Sequence, residues 1–117
     1  MHYFALLLGP DSTTAPDPDA QAAEMAAYQA FHAKAASAIR GGDALYPTAT
    51  ATTVRVAGGK GGDVITSDGP YAETKEALTG FYLLECADLD EAVKVAATIP
   101  GAWDGAVEVR PVIDFGG

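Results

Sequence analysis

The stretch LTGFYLLECADLDE, from Leu78 to Glu91, decides the fold. Its first part, Leu78 to Cys86, is apolar at successive positions, so both faces of the predicted strand are apolar and the strand lies inside a sheet. Asp88 and Glu91 have the spacing of a capping box, in which the first side chain accepts a hydrogen bond from the first helical turn and the second reaches back. The stretch therefore predicts a central strand followed directly by a helix.

The residues after this stretch continue the pattern. The predicted helix has a buried face of five apolar residues: Leu89, Ala92, Val93, Ala96 and Ile99. Pro100-Gly101 ends the helix, since proline lacks a backbone donor and glycine accepts the geometry that follows a helix. Gly105 to Ile113 then alternates, with valines on one face and Glu108 and Arg110 on the other. This alternation predicts a strand with one face toward the core.

The first part of the chain predicts another strand and helix. His2 to Leu8 is apolar on both faces and reads as a second central strand, and the polar run Gly9 to Asp17 is a loop. Asp17 caps a helix in which Pro18 takes the first position. The buried stripe of this helix consists of Met25, Tyr28, Phe31, Ala35 and Ile39. Gly41-Gly42 is predicted to end it.

The middle of the chain predicts a short strand and a hairpin. Ala44 to Tyr46 is the strand, and Thr53 to Ala57 pairs with Asp63 to Thr66 across a glycine-rich tip, Gly58 to Gly62. Such glycines also occur in phosphate-binding loops. Because these lie between two strands rather than before a helix, a turn is the preferred interpretation.

The order strand, helix, strands, helix, strand predicts an α+β fold. It is the ferredoxin-like subunit, βαββαβ with an extra hairpin, in which two helices cover one face of an antiparallel sheet. The length of 117 residues fits a single domain over residues 1–117. Since two strands are apolar on both faces, the other sheet face would be a large hydrophobic patch, and a homodimer joined through the sheet face would cover it.

The net charge and the cysteine content limit the classes of partner and the cellular location that we predict. The net charge is −9, from 16 acidic and 7 basic residues, and a field of that sign repels nucleic acid and anionic membrane surfaces. The single cysteine, Cys86, cannot form an intramolecular disulfide, which suits the cytoplasm. We find neither a secretory signal nor an apolar run of the roughly 18 residues that a membrane span needs.

The run Asp68-Gly69-Pro70-Tyr71-Ala72-Glu73-Thr74-Lys75-Glu76 resembles the signature of the DGPF, or YCII-related, domain family, with tyrosine at the family's phenylalanine. Residues 49–56, 80–82 and 107–111 resemble the family as well. The resemblance implies a dimeric α/β barrel of ferredoxin-like subunits, which agrees with the pattern above. It also implies an association with extracytoplasmic-function sigma factors.

The resemblance further implies a histidine on the first helix paired with an aspartate beyond the second strand. His32 lies nine residues before Gly41, about two short of the group's spacing. Two residues rotate a side chain by roughly 200° on a helix. The stretch after Leu45 has no acid nearby. We therefore expect no transferable His–Asp pair, and we expect His32 at the solvent edge of the buried stripe.

The DGPF run offers the main candidate ligand-binding residues. Asp68 either stabilises a turn, the preferred interpretation, or presents a carboxylate as a base or acceptor. Tyr71 follows in the same run. Glu73 and Lys75 are either part of a solvated polar loop or a proton-transfer group beside a cation for an anionic ligand.

Two further candidates lie on strands. Arg110 pairs with Glu108 or with an acid across the dimer, or it holds a carboxylate in the cleft between two sheets. Tyr82 either lines that inter-sheet cleft, together with Tyr3, or belongs to the core. The residue spacing shows no metal site and no dinucleotide fingerprint, so we predict no cofactor. Cys86 is predicted to be a buried thiol.

Three functions remain open on these observations. The first is a binding module for a small polar metabolite or a regulatory partner at the DGPF loop and the inter-sheet cleft. The second is a cofactor-free enzyme, an isomerase, lyase or hydrolase acting on a small anionic substrate. The third, which only the resemblance implies, is a modulator of a sigma factor.

Overall fold

A computed structural model describes residues 1–10, 17–71 and 76–115. In chain order its elements are β1 (His2–Gly9), α1 (Pro18–Lys34), β2 (Ile39–Ala44), a 3₁₀ turn (Thr48–Thr50), β3 (Thr52–Val56), β4 (Val64–Asp68), β5 (Ala77–Glu85), α2 (Leu89–Ala96), α3 (Gly101–Asp104) and β6 (Ala106–Pro111).

The main sheet has four antiparallel strands in the order β2-β5-β1-β6. The two strands with apolar residues on both faces, β1 and β5, lie in the middle, as the sequence predicts. Strands β2 and β6 form the edges. This α+β arrangement with antiparallel sheets is compatible with the ferredoxin-like fold and confirms that part of the prediction.

The core lies between one face of this sheet and the helices. Its buried residues are Tyr3, Ala5, Leu7, Phe31, Ala35, Ala38, Tyr82, Leu84, Cys86, Ala92, Ala96 and Ile99. Many of the helical members are alanines, which bring the helix backbone close to the strands. Leu84 and Ile99 are the largest fully buried side chains. Within the described residues, no helix combines the length and the apolar character that crossing a membrane requires.

Both predicted helix caps are present. The Asp17 carboxylate accepts a hydrogen bond from the Ala20 amide at 3.4 Å, and Pro18 is the first helical residue. The Asp88 carboxylate accepts one from the Glu91 amide at 2.9 Å. Each cap satisfies an amide that the first turn of a helix leaves without a partner.

The predicted end of the first helix is wrong. α1 ends at Lys34, where the Ala35 amide donates to the Phe31 carbonyl, and a turn leads into β2. Ile39 pairs with Leu84 of β5, so pairing with a central strand overrides the helical preference of the alanines before it. The glycines at 41 and 42 therefore lie within β2, and the strand predicted at residues 44–46 is displaced to Ile39–Ala44.

Three residues predicted to be buried on helices are exposed. Met25 is 57% exposed, Leu89 51% and Val93 52%. The reason differs between the helices. α1 buries only Phe31, near its C-terminal end, whereas α2 is short and turns Ala92 and Ala96 inward. α2 also ends at Ala96, four residues before Pro100, so the proline and glycine lead into α3 instead of ending α2.

The hairpin is confirmed as a separate two-stranded sheet of β3 and β4. Three glycines at its tip, Gly58, Gly59 and Gly61, have positive φ angles that favour glycine. Every residue of β4 is exposed, and so is most of β3. The radius of gyration is 16.6 Å, against roughly 13 Å for a compact domain of this length, which indicates a hairpin that extends from the body.

The second face of the main sheet is apolar, and no helix among residues 1–10, 17–71 and 76–115 covers it. We call it the open face and define it by Phe4, Leu6, Phe81 and Leu83, which alternate with the buried residues of β1 and β5. The rings of Phe4 and Phe81 lie 5.4 Å apart. All four side chains are half-buried within the single chain.

Candidate functional site

A cleft of about 540 Å³ opens between α1 and the β2–β5 side of the main sheet. The helix wall consists of Gln21, Glu24, Met25, Tyr28 and His32. The strands contribute Leu7, Gly42, Asp43, Ala44, Thr79, Gly80, Phe81 and Tyr82. The cleft exists because the N-terminal half of α1 stands away from the sheet. Residues 18–26 are all exposed, whereas Phe31, farther along the helix, is buried.

Glycine at position 42 shapes the floor of the cleft. A Cβ atom at Gly42 would lie 2.7 Å from Cδ1 of Tyr82 and would also collide with the Phe81 carbonyl oxygen. Its φ angle of +151° is one that residues with a side chain rarely adopt. The absence of a side chain therefore lets the Tyr82 ring lie directly against the edge strand.

The polar centre of the cleft is a hydrogen bond between His32 Nε2 and the Tyr82 hydroxyl, 2.8 Å long. The two rings come from elements 50 positions apart in the chain. Phe31 supports both, because its ring meets Tyr82 edge-on at 5.2 Å and His32 edge-on at 5.6 Å. His32 is exposed toward the cleft, and Tyr82 is only 8% exposed. A buried phenol thus supports a histidine that a bound molecule can reach.

Burial keeps the Tyr82 hydroxyl protonated. It raises the pKa of Tyr82 from 10.0 to about 12, and the nearby Tyr28 adds to the rise. A phenol that holds its proton at neutral pH can donate to a neutral imidazole, and the same pair can exchange roles when the imidazole is protonated. The protonated phenol is therefore suited to fixing the histidine tautomer, and the exposed imidazole is the member of the pair that can contact a ligand.

Tyr28 forms the neighbouring part of the wall. Burial raises its pKa, and the negative charge of Glu24 raises it further, while a hydrogen bond from the Gly101 backbone opposes the rise. A Cβ at Gly101 would lie 3.1 Å from the Tyr28 hydroxyl oxygen, so the start of α3 holds this side chain closely. Tyr28 and His32 are four residues apart on α1 and share one helix face.

The described start of the signature run, Asp68 to Tyr71, lies elsewhere, at the base of the hairpin. Gly69 has φ +96°, its amide donates to the Ala51 carbonyl at 2.7 Å, and its carbonyl accepts from Thr53 Oγ1 at 2.9 Å. The Arg55 guanidinium lies 5.0 Å above the centre of the Tyr71 ring, which is 77% exposed. These contacts give the run a local structural role, because they fix the turn that follows β4.

The four predicted site residues that the structure describes do not converge. Asp68 is exposed at the end of β4 and Tyr71 follows it on the hairpin, whereas Tyr82 faces the cleft. Arg110 pairs with Phe4 on the open face, which is the opposite side of the sheet from Tyr82. Glu73 and Lys75 lie outside the described residues. The alternative in which Tyr82 and Tyr3 line an inter-sheet cleft is wrong, since both are buried on the helix side.

The cleft could not be predicted while α1 was expected to continue to Ile39, because its second wall is β2. With β2 at Ile39–Ala44, Asp43 stands near the end of the second strand and lines the same cleft as His32. Asp43 is exposed and pairs with Phe81, and the hydrogen-bond partner of His32 is Tyr82. The expectation that no His–Asp pair transfers stays a prediction.

A second polar group lies at the start of β1. The N-terminal ammonium and His2 Nε2 each approach one carboxylate oxygen of Glu85 at 2.9 Å. The hydrogen bond from the N-terminus is the main reason that the pKa of Glu85 is lowered. All three groups are at the surface, and they join the first residues to β5. Among the described residues, no three His, Cys, Asp or Glu side chains could hold a metal ion.

Comparisons with known proteins place the chain in a family without an established activity. The YCII-related domain matches residues 2–116. A curated protein of Rhizobium meliloti (strain 1021), described as uncharacterised, is 49% identical over 70 residues. That match covers 58% of this chain and 54% of the relative, so the chain spans about half the length of that relative. With its match over nearly the whole sequence, the chain belongs to the YCII-related domain family.

Proposed function

We propose that this domain binds a small ligand in the cleft beneath α1, with the His32–Tyr82 pair as its polar anchor. The observation that carries the proposal is the 2.8 Å hydrogen bond between a reachable imidazole and a buried phenol in the wall of a 540 Å³ cleft. Ligand sites are typically concave, largely apolar and equipped with a few placed polar groups. That the loop beginning at Asp68 forms a second binding surface remains a prediction.

A thermal-shift screen against a few hundred metabolites tests this proposal. A ligand present at 100 times its dissociation constant stabilises a protein by about 2.7 kcal/mol, which raises the midpoint by several degrees in a domain of this size. We expect at least one hit that Tyr82→Phe weakens and Tyr71→Phe leaves unchanged. Tyr71→Phe is the matched control, because it removes the same hydroxyl from the exposed hairpin. A hit lost only in the control variant would move the site to the loop.

The same pair supports a second candidate function, proton-transfer catalysis without a cofactor. A histidine hydrogen-bonded to a protonated phenol can serve as a general acid or base for a ligand in the cleft. We expect His32→Gln to retain part of the ligand affinity and to lose turnover of the hit compound by at least 100-fold. Equal turnover by the variant and the parent would remove His32 from the chemistry.

We further propose that two chains associate through the open face. Glu108 and Arg110 on the edge strand β6 lie beside its four apolar side chains. They pair with Leu6 and Phe4, respectively, and so share the same face of the sheet. In a two-fold pair, the acid of one subunit can meet the base of the other. The dimeric α/β barrel is the expected form of this assembly. The sigma-factor partner remains a prediction, and we assign no surface to it. The cytoplasmic location also remains a prediction.

Light scattering after gel filtration tests the association. We expect a dimer for the parent and a monomer for Leu6→Glu, since a carboxylate in the middle of the face would be buried without a partner. Val54→Glu is the control, because Val54 is equally aliphatic but lies exposed on the hairpin. A dimer that survives Leu6→Glu and is lost in Val54→Glu would assign the contact to the hairpin.

A further inference from the structure

The charges of the cleft have one sign. Its described lining includes the carboxylate of Glu24 and no lysine or arginine, whereas Asp43 pairs with Phe81 and shares the open face with it. The chain as a whole carries a net charge of −9. Two unit charges 4 Å apart interact by about 1 kcal/mol in water and by more in a partly enclosed site. An anionic ligand would therefore meet repulsion that no described cation in the wall offsets.

The apolar surface of the cleft is largely aromatic. The rings of Tyr28 and Tyr82 contribute to the wall, and Met25 stands at the helix side. The faces of aromatic rings attract cations, and Tyr28 lies close enough to Glu24 for that carboxylate to disfavour ionisation of its phenol. An acid and an aromatic group thus lie side by side on α1, at Glu24 and Tyr28, four residues apart. This combination of groups is what binds ammonium ions in proteins.

The remaining polar groups in the wall do not reverse this preference. Gln21 and Thr79 offer neutral hydrogen bonds, and Gly42 and Gly80 contribute only backbone atoms. These groups can orient a ligand without adding positive charge. The Tyr82 hydroxyl and His32 are already joined to each other, so neither serves as a fixed cation for a carboxylate.

We infer that the cleft binds a ligand that carries an ammonium group on a small apolar or aromatic body, with the charge held by Glu24 beside Tyr28. The inference rests on the proposed function of the cleft and specifies its ligand class. It also departs from the expectation of a small anionic substrate, which depended on Lys75 near the signature run.

Three probes of nearly equal shape and different charge test the inference: phenethylamine, 2-phenylethanol and 3-phenylpropionate. We expect titration calorimetry on the parent protein to rank the amine first, at least tenfold tighter than the carboxylate. The preference should shrink as salt is raised, because the charges are near solvent. Glu24→Gln should reduce amine affinity several-fold and leave the alcohol unchanged. Asp63→Asn removes the same net charge from an exposed position on the hairpin and should leave all three affinities as they are.

The other outcomes distinguish a failure of the inference about ligand charge from a failure of the cleft as a ligand site. Tighter binding of the alcohol or the carboxylate overturns the inference about charge. If Tyr82→Phe weakens that binding, the cleft as a ligand site still stands. Equal losses of amine affinity in Glu24→Gln and Asp63→Asn also overturn the inference, since only the general field of the protein would then be acting. Failure of all three probes to bind at millimolar concentration overturns it as well, while metabolite hits in the thermal screen would still support the cleft.

Discussion

The hairpin and the cleft differ in how the chain builds them. The hairpin holds the most recognisable run of the sequence, and its contacts are local, from Thr53 to Gly69 and from Arg55 to Tyr71. The cleft has no run of its own, and its central hydrogen bond joins His32 to Tyr82 across 50 positions. The described residues of the recognisable run stabilise a turn. The groups suited to binding are brought together only by the tertiary fold.

The largest contrast is expected between two tyrosines. Tyr82→Ala removes a ring that is packed against Phe31 and His32, and it should lower the free energy of unfolding by about 3–5 kcal/mol. Tyr71→Ala removes an exposed ring and should cost less than about 0.5 kcal/mol. Urea unfolding of both variants measures the difference. Similar losses would mean that the hairpin is as tightly packed as the cleft wall.

Two glycines give the next contrast. Gly42→Ala should cost about 1–3 kcal/mol and weaken ligand binding, because the new methyl group collides with Tyr82 and the Phe81 carbonyl. Gly69→Ala faces open space and meets only the penalty for its φ of +96°, about 1–2 kcal/mol, with ligand binding unchanged. Urea unfolding and titration of a hit compound measure both effects. Ligand affinity lost in Gly69→Ala alone would contradict the placement of the site.

High pH should lower the free energy of unfolding through the tyrosines of the cleft more than through the exposed tyrosine of the hairpin. The Tyr82 pKa is raised to about 12, so between pH 10 and 12 the folded chain keeps a proton that the unfolded chain releases. Stability is therefore full below pH 10 and falls as pH rises, by at most about 1.4 kcal/mol for each pH unit from this group. Tyr28 acts in the same direction.

Urea unfolding of the parent and Tyr82→Phe from pH 9 to pH 12 measures this dependence. The variant lacks the phenol and should show the shallower decline. Tyr71→Phe should follow the parent, because that tyrosine is exposed on the hairpin. Equal slopes for the parent and Tyr82→Phe would show that the buried phenol does not control the decline.

The smallest contrast concerns two aspartates. Asp88→Ala removes the cap of α2 and should cost about 1 kcal/mol, as N-cap losses usually do. Asp68→Ala, at the exposed end of β4, should cost under about 0.5 kcal/mol. Thermal unfolding with a precision of one degree resolves the difference. A larger loss in Asp68→Ala would show that this carboxylate stabilises the turn after all.

Local patterns predict most of the fold. The caps at Asp17 and Asp88, the central strands and the glycine tip all follow from short-range chemistry, and the structure confirms them. The end of α1 does not follow, because the pairing of Ile39 with Leu84 depends on a strand far along the chain. Alanine favours a helix in isolation, so residues 35–38 gave no local sign of the turn.

That one boundary also concealed the site. Once Ile39–Ala44 is a strand, Asp43 and Gly42 join the wall opposite His32 and Tyr28. The spacing of Tyr28 and His32 on one helix face was visible in the sequence, but the phenol that bonds the histidine was not. Tyr82 stands on a strand that is apolar on both sides, and only the pairing of β5 with its neighbours decides which side each residue takes.

Mapping a screening hit by NMR tests the central claim most directly, namely that the cleft rather than the signature run is the ligand site. Titration into ¹⁵N-labelled protein should shift the amides of His32, Gly42, Thr79 and Tyr82, and those of Ser67, Asp68 and Gly69 should stay in place. Shifts confined to Ser67, Asp68 and Gly69, with the cleft amides unmoved, would contradict the claim and return the site to the hairpin.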